Sequence, residues 1–408
     1  MEIYIIIDNK ESIKADDCHS KGVIEMNFQE TTTSEERLSL MKSLSNHFYA
    51  RAGKMDKESS FPFENIRELI DTGYTTLTLP KKFGGKEISL LEFVMLQEQI
   101  AIGDGATALS IGWHMGIIKN LGEKLPWDPS IFDWFCEEIK KGALTNSAAS
   151  ERATGSPTRG GKPQTTAESK GDKWVINGRK SFTTMAPVLD YFIVSASIND
   201  RDEVGNFLIP RNTNGVEIEE TWDSISMSGT GSHDLVLTDV EIENKFLVEY
   251  IQPGNKKASG WLLHIPACYL GIAQAAQNYS IQFAKSYSPN SIKGTIIDLP
   301  NVQQKIGEME KELIVSRTFL YSIAEQWDRI NDEDRLSMAP QLSAVKLVVT
   351  NAAIKVVDLA MRLVGASSLS QKSPLSRYYR DVRAGLHNPP MDDMTIMQLA
   401  KFAVERRN

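Results

Sequence analysis

Near its C-terminus the chain runs Leu386-His-Asn-Pro-Pro-Met-Asp-Asp393, which gathers one imidazole and two carboxylates in a short segment. An imidazole with its ordinary pKa of about 6.5 exchanges protons near neutrality. A desolvated carboxylate can act as a general base. His387, Asp392 and Asp393 are therefore the candidate catalytic groups; the bland alternative for His387 is a ring capping free helix carbonyls. Two other stretches bring hydroxyls and an aromatic ring close together: Ala149-Ser-Glu-Arg-Ala-Thr-Gly-Ser156 and Asn177-Gly-Arg-Lys-Ser-Phe-Thr-Thr184. His114, in Gly-Trp-His-Met-Gly116, is a candidate cleft residue, weighed against a buried structural histidine. Cys18, Cys136 and Cys268 form no CxxC pair and no zinc spacing, so no metal is expected. Ser228-Gly-Thr-Gly-Ser232 precedes a strand rather than a helix, fails the context of a phosphate loop and reads as a turn. Lys173 and Lys180 read as solvated.

The elements that must hold these groups follow from periodicity. Ser34-Glu-Glu-Arg37 opens a helix with acids in its first turn. A short helix over Glu64–Thr72 ends at Gly73, and Ser89 caps a longer one. The pattern changes near Leu144. Lys173–Gly178, Tyr191–Ser197, Asn206–Ile209 and Asp234–Ile242 read as strands, the first entering a turn at Asn177-Gly178. Apolar residues then return at steps of three and four, as in Val345, Val348, Ala352, Val356, Leu359 and Leu363. The expected fold is α+β and mostly α. An N-terminal helical domain (31–143) leads to a small antiparallel β-barrel or sandwich (144–245) and a C-terminal four-helix bundle (246–408).

Residues 1–30 are expected to be leader, with 1–25 translated ahead of a native start at Met26, because Lys21-Gly-Val23 is encodable as a ribosome-binding run. Met1–Asn9 lacks the basic region and cleavage site of a signal peptide. The 408 residues carry a net charge of −8 and are 41% hydrophobic. That charge argues against nucleic acid or an anionic membrane as the main partner. No apolar run reaches membrane-spanning length. Scattered cysteines fit a reducing, cytoplasmic location.

The order of these parts, with Gly73–Gly85, the Ser150 loop, Phe182 and Thr184, Tyr269–Ala276 and Pro374–Arg383, resembles the acyl-CoA dehydrogenase family of flavoproteins over most of the chain. The resemblance implies that Ser150 meets the flavin pyrimidine edge, Phe182 packs on the ring system and Thr184 sits near N5. Ser156 would lie near the polar tail of the substrate. It implies FAD, with FMN as the alternative, a small acyl-CoA-like substrate, and a homotetramer or homodimer. Arg380 and Asp381 would pin the bundle.

Two departures bear on the reaction. The family offers a glutamate eight residues past the Asp of its Arg-Asp segment, or at the start of the first bundle helix; Pro389 and Trp261 stand there instead. Loss of a positioned base costs about 10²–10⁴ in rate, leaving Asp392 or Asp393 as shifted substitutes. Leu386-His-Asn-Pro389 also resembles a segment of the two-component flavin monooxygenases, such as dibenzothiophene monooxygenase, in which the His supports an oxygen adduct of reduced flavin. The expected function is thus α,β-dehydrogenation of an acyl-CoA, with hydride passing to flavin N5 and electrons to an electron-transfer flavoprotein. The alternatives are a monooxygenase served by a flavin reductase and a non-catalytic relative.

Overall fold

The computed structural model describes residues 27–154, 161–199, 201–251 and 258–405. Met26 and Ser156 lie outside them. Phe28, expected in the leader, is instead fully buried edge-on against Tyr74 at 5.4 Å, and its N–H donates to Thr72 O.

Among the described residues five α-helices come first: α1 Ser34–Glu58, α2 Phe63–Asp71, α3 Leu90–Gly103, α4 Gly105–Lys124 and α5 Pro129–Lys140. Their starts follow local chemistry. Thr33 and Glu36 close a capping box on α1, and the Ser89, Asp104 and Asp128 side chains accept first-turn N–H groups of α3, α4 and α5. α3 is buried nearly all round because it is shared between layers, lying on α1 on one side and on the C-terminal helices on the other.

Eight strands among the described residues follow: β1 Thr145–Ala148, β2 Thr166–Lys170, β3 Lys173–Thr183, β4 Tyr191–Ile198, β5 Glu203–Pro210, β6 Val216–Glu219, β7 His233–Glu243 and β8 Leu247–Ile251. They form one sheet in the order β6-β7-β3-β2-β4-β5-β8. Most neighbours are antiparallel; β1 and β2 both run parallel to β4, end to end along one edge. The turn expected at Asn177-Gly178 is not a turn. β3 continues through it, and the register shift between Ile176 and Gly178 is taken up by one extra residue on the β7 side. Gly178 is required there, since a Cβ would lie 2.5 Å from the Thr165 hydroxyl.

The C-terminal part holds three long helices, α6 His264–Ser286, α7 Pro300–Arg329 and α8 Ala339–Val364, with the short α9 Pro374–Asp381 packed on α6 and α8 and α10 Asp392–Glu405 beside α8. The apolar stripe of α8 is rotated from the expected one. Val345 and Val356 are buried, but Val349, Ala353 and Ala360 join them while Val348 is 39% exposed. Among the described residues, no helix is long and apolar enough to cross a membrane.

Candidate active site

The site is built on a second irregularity in β3, between Lys180 and Thr183. Phe182 there adopts φ 58°, a left-handed conformation that costs a bulky residue about 1–2 kcal/mol. Its ring is 63% exposed. A strained backbone that pushes an aromatic ring into solvent is a feature retained for use rather than for stability. The Trp222 ring stands edge-on to it at 6.1 Å.

The Ser150 loop lies against the same bulge, its carbonyl accepting the Ser181 N–H at 2.9 Å. Beneath the loop, Lys180 is not solvated as its sequence context implies but fully buried. Its ammonium is 2.7 Å from Glu151. Glu151 also accepts the N–H groups of Gln164 and Thr165 and the Thr165 hydroxyl, at 2.7, 3.0 and 2.7 Å. Burial pulls this carboxyl upward, but Lys180 and the backbone donors outweigh it and leave it at about 2. Burial pulls Lys180 downward. This pair pins the loop to the strand. Lys173 is exposed and pairs with Glu241.

Thr184 begins a chain of hydroxyls: it lies 2.9 Å from Ser232, which lies 2.8 Å from Thr230, whose hydroxyl donates to Met227 O at 3.0 Å. With the Thr230 proton on Met227 O, Ser232 donates to Thr230 and Thr184 donates to Ser232. Thr184 then turns a lone pair, not a proton, outward. Asn146 Nδ2 donates to Thr184 O and fixes its backbone.

The loop from Thr221 to Ser232 carries both Trp222 and Ser232 and is tied to the bundle. Asp381 Oδ1 accepts the Met227 N–H at 2.7 Å, and the Ser226 hydroxyl donates to Asp381 O at 3.1 Å. Arg380 donates to Ile225 O and pairs with Asp56 on α1. Burial raises the Asp381 carboxyl to about 7 even though Met227 and Arg377 favour its anion. Arg380 and Asp381 thus pin the bundle to its neighbours.

The structure brings Ser150, Phe182 and Thr184 together. His387 is exposed on the turn after α9, and the neighbouring Asn388 accepts the Tyr269 hydroxyl. Asp392 is engaged elsewhere, bonded to the buried Lys346 at 3.0 Å and to Asn351 at 2.8 Å on α8. Asp393 faces solvent on the first turn of α10. His114 is fully buried with both ring nitrogens in use: Nδ1 accepts the Thr145 N–H and Nε2 donates to Thr75 O. Burial lowers it to about 4, so it is a neutral tie between α4 and β1 with no nitrogen left for a substrate. Glu151, Lys180, Trp222, Thr230 and Ser232 escape the sequence reading. The one signal for the last two is the glycine-rich run Ser228–Ser232, which folds back on Thr184. Among the described residues no group of His, Cys, Asp and Glu is placed to hold a metal.

Three family models match in chain order: the N-terminal domain of acyl-CoA dehydrogenase over residues 34–123, its middle domain over 146–240 and its C-terminal domain over 263–386. The chain belongs to the acyl-CoA dehydrogenase family of flavoproteins. A relative from Bacillus subtilis (strain 168), named "Putative acyl-CoA dehydrogenase YdbM", is 52% identical over 89% of this chain and 95% of its own. The fold is shared with dibenzothiophene monooxygenase TdsC of Paenibacillus sp. A11-2, solved with FMN and indole. There the TM-score is 0.82 at 22% identity, over 91% of this chain and 98% of that one. It is shared equally with butyryl-CoA dehydrogenase of Megasphaera elsdenii, with a TM-score of 0.81 at 18% identity, over 93% of this chain and all of that one. The same fold therefore occurs in a monooxygenase and in a dehydrogenase. The residues present fit a flat redox ring: an outward aromatic, a hydroxyl of fixed polarity two residues on and a Ser loop hydrogen-bonded to the same bulge.

Proposed function

We propose that this family member is an oxygenase that receives reduced flavin, with FMN favoured over FAD, from a separate flavin reductase. The observation that carries this reading is the engagement of Asp392 by Lys346 and Asn351. With Pro389 and Trp261 at the family's two base positions, the nearest substitute carboxylate is committed to holding α10 on α8. Bound flavin supplies a two-electron carrier able to react with O2. The chain's own residues do the rest. Phe182 packs against the ring, and Ser150 borders its polar edge. Thr184, as an acceptor, favours a ring nitrogen that carries a hydrogen, which is the reduced form. His387, exposed on the turn after α9, would supply an imidazole able to hold or pass a proton.

The dehydrogenase reading keeps one specific support: Asp393 is exposed on the first turn of α10. It requires that carboxylate to reach the substrate Cα. Anaerobic mixing of the oxidised-flavin complex with a panel of acyl-CoAs separates the two readings. The oxygenase leaves the flavin absorbance unchanged; bleaching that Asp393→Asn abolishes supports the dehydrogenase instead. Exposed apolar side chains on α7 (Ile314, Val315) and α10 (Ile396, Met397, Val404) suit self-association into a dimer or tetramer.

A further inference from the structure

The turn that carries His387 is held from two sides by residues far from it in sequence. On one side stands Ser226, in the loop that also carries Trp222 and Ser232. Its buried hydroxyl sits where α9 ends: it donates to Asp381 O and accepts the Ala384 N–H, both at 3.1 Å. A helix leaves its last carbonyls unpaired, and Ser226 satisfies this one while steering the chain beyond it. Met227 adds a third bond, its N–H donating to Asp381 Oδ1 at 2.7 Å. Its carbonyl accepts the Thr230 hydroxyl, which ends the row of hydroxyls leading from Thr184. Met227 is thus shared. Its carbonyl anchors the hydroxyls behind Thr184, and its N–H anchors the base of the His387 turn.

On the other side stands Tyr269, fully buried on α6. Its hydroxyl donates to Asn388 Oδ1. Its ring also walls in Gly385: a Cβ there would lie 3.2 Å from Tyr269 Cδ2 and from Thr350 on α8, so the turn is pressed between α6 and α8. Within the turn, Ala384 O accepts the N–H groups of His387 and Asn388 at 2.9 and 3.0 Å. Ser226 therefore sets Ala384, Ala384 sets the backbone of His387, and Tyr269 fixes the residue after it. The His387 side chain itself stays exposed.

We propose that Ser226 and Tyr269 are positioning residues for His387, which hold its turn in a fixed place relative to the Thr184 end of the flavin surface. Ser226 acts through Ala384, and Tyr269 acts through Asn388. An imidazole on an exposed turn keeps a proton in a defined place only if the backbone beneath it is rigid. Functional groups need placement to within about 0.5 Å, and a displacement of about 1 Å can cost 10²-fold in rate. Two anchors on opposite sides of a five-residue turn, Ala384 to Asn388, supply that rigidity without occupying the ring. This rests on the flavin reading above for the chemistry of His387, though not for the placement of its backbone.

The test uses the full chain with isotope-labelled histidine backbone amides, read by nuclear magnetic resonance; the His387 signal is the one lost in His387→Ala. The native His387 amide has an order parameter of about 0.85, that of rigid backbone, and Ser226→Ala and Tyr269→Phe each lower it below about 0.6. The amide of His114, inside α4, stays rigid in all three chains. With reduced FMN and O2, both variants lose the oxygen species about tenfold faster than the native chain. Reduced FMN binds Tyr269→Phe as it binds the native chain. Residues that merely support the fold give a lowered thermal midpoint with the His387 amide still rigid, which overturns the proposal. So does a mobile His387 amide combined with native decay of the oxygen species. If Ser226→Ala does not fold, Tyr269→Phe, whose lost bond leads only to the half-buried Asn388, carries the same readouts. The amide measurement needs no flavin. A native chain that forms no oxygen species therefore refutes the flavin reading alone, and the amide still decides the placement.

Discussion

Replacing Glu151 by Gln tests whether the buried pair holds the Ser150 loop. The substitution keeps the shape and one acceptor but leaves the Lys180 ammonium buried without its counter-charge at 2.7 Å. Lowering a carboxyl from 4.5 to about 2 in the folded state corresponds to about 3 kcal/mol, at roughly 1.4 kcal/mol per pKa unit. Removing one partner of a buried pair costs about 3–5 kcal/mol by general experience, so the two figures agree. The sign follows from linkage. A depressed carboxyl stabilises the fold fully above its unfolded value of 4.5 and loses that contribution as pH falls toward about 2. Gln mimics the protonated acid, so the gap between the chains must close over the same window. Urea unfolding at pH 7 should show the variant about 3 kcal/mol less stable, and at pH 3 more than half of that gap should be gone. A gap below about 1 kcal/mol at pH 7, or one of equal size at both pH values, refutes the reasoning.

Asp381 titrates with the opposite sign. Burial raises it from 3.8 to about 7, so it weighs against the fold increasingly as pH rises through that interval. Asp381→Asn keeps an acceptor for the Met227 N–H. Its stability relative to the native chain should therefore rise from pH 4 to pH 7, and a flat difference contradicts this. Phe182→Gly relieves the φ of 58° and should leave stability within about 1 kcal/mol of the native chain while weakening flavin binding about tenfold, measured by fluorescence titration. Ser232→Ala cuts the hydroxyl chain and frees the Thr184 proton to point outward. The preference for reduced over oxidised FMN should drop about fivefold, readable as a shift in the potential of the bound flavin.

The parts of this site that are legible in the sequence are local. Ser150, Phe182 and Thr184 are singled out by a family resemblance carried on two short stretches, while the bulge that turns Phe182 outward is not visible in either. Lys180 cannot be read, because its burial depends on Glu151, which lies 29 residues earlier in the loop after β1. The same limit applies to Ser232. Its run reads as a turn, and it is one, but the turn folds onto Thr184. Helix existence on α8 follows from periodicity, while the facing residues do not. α8 packs on both α6 and α7, so its buried face is wider than one stripe and centred on Val349 and Ala353 rather than Val348 and Ala352. Asp392 reads as a free carboxylate only until the buried Lys346 on α8 is seen opposite it.

The most direct test of the central claim is stopped-flow absorbance of the protein with reduced FMN as it meets O2. The account predicts reoxidation through a long-lived species distinct from both reduced and oxidised flavin, lost in His387→Ala while reduced-flavin binding persists. Direct reoxidation with no such species, together with acyl-CoA bleaching of the oxidised complex, would contradict it and return the chain to the dehydrogenase chemistry of its family.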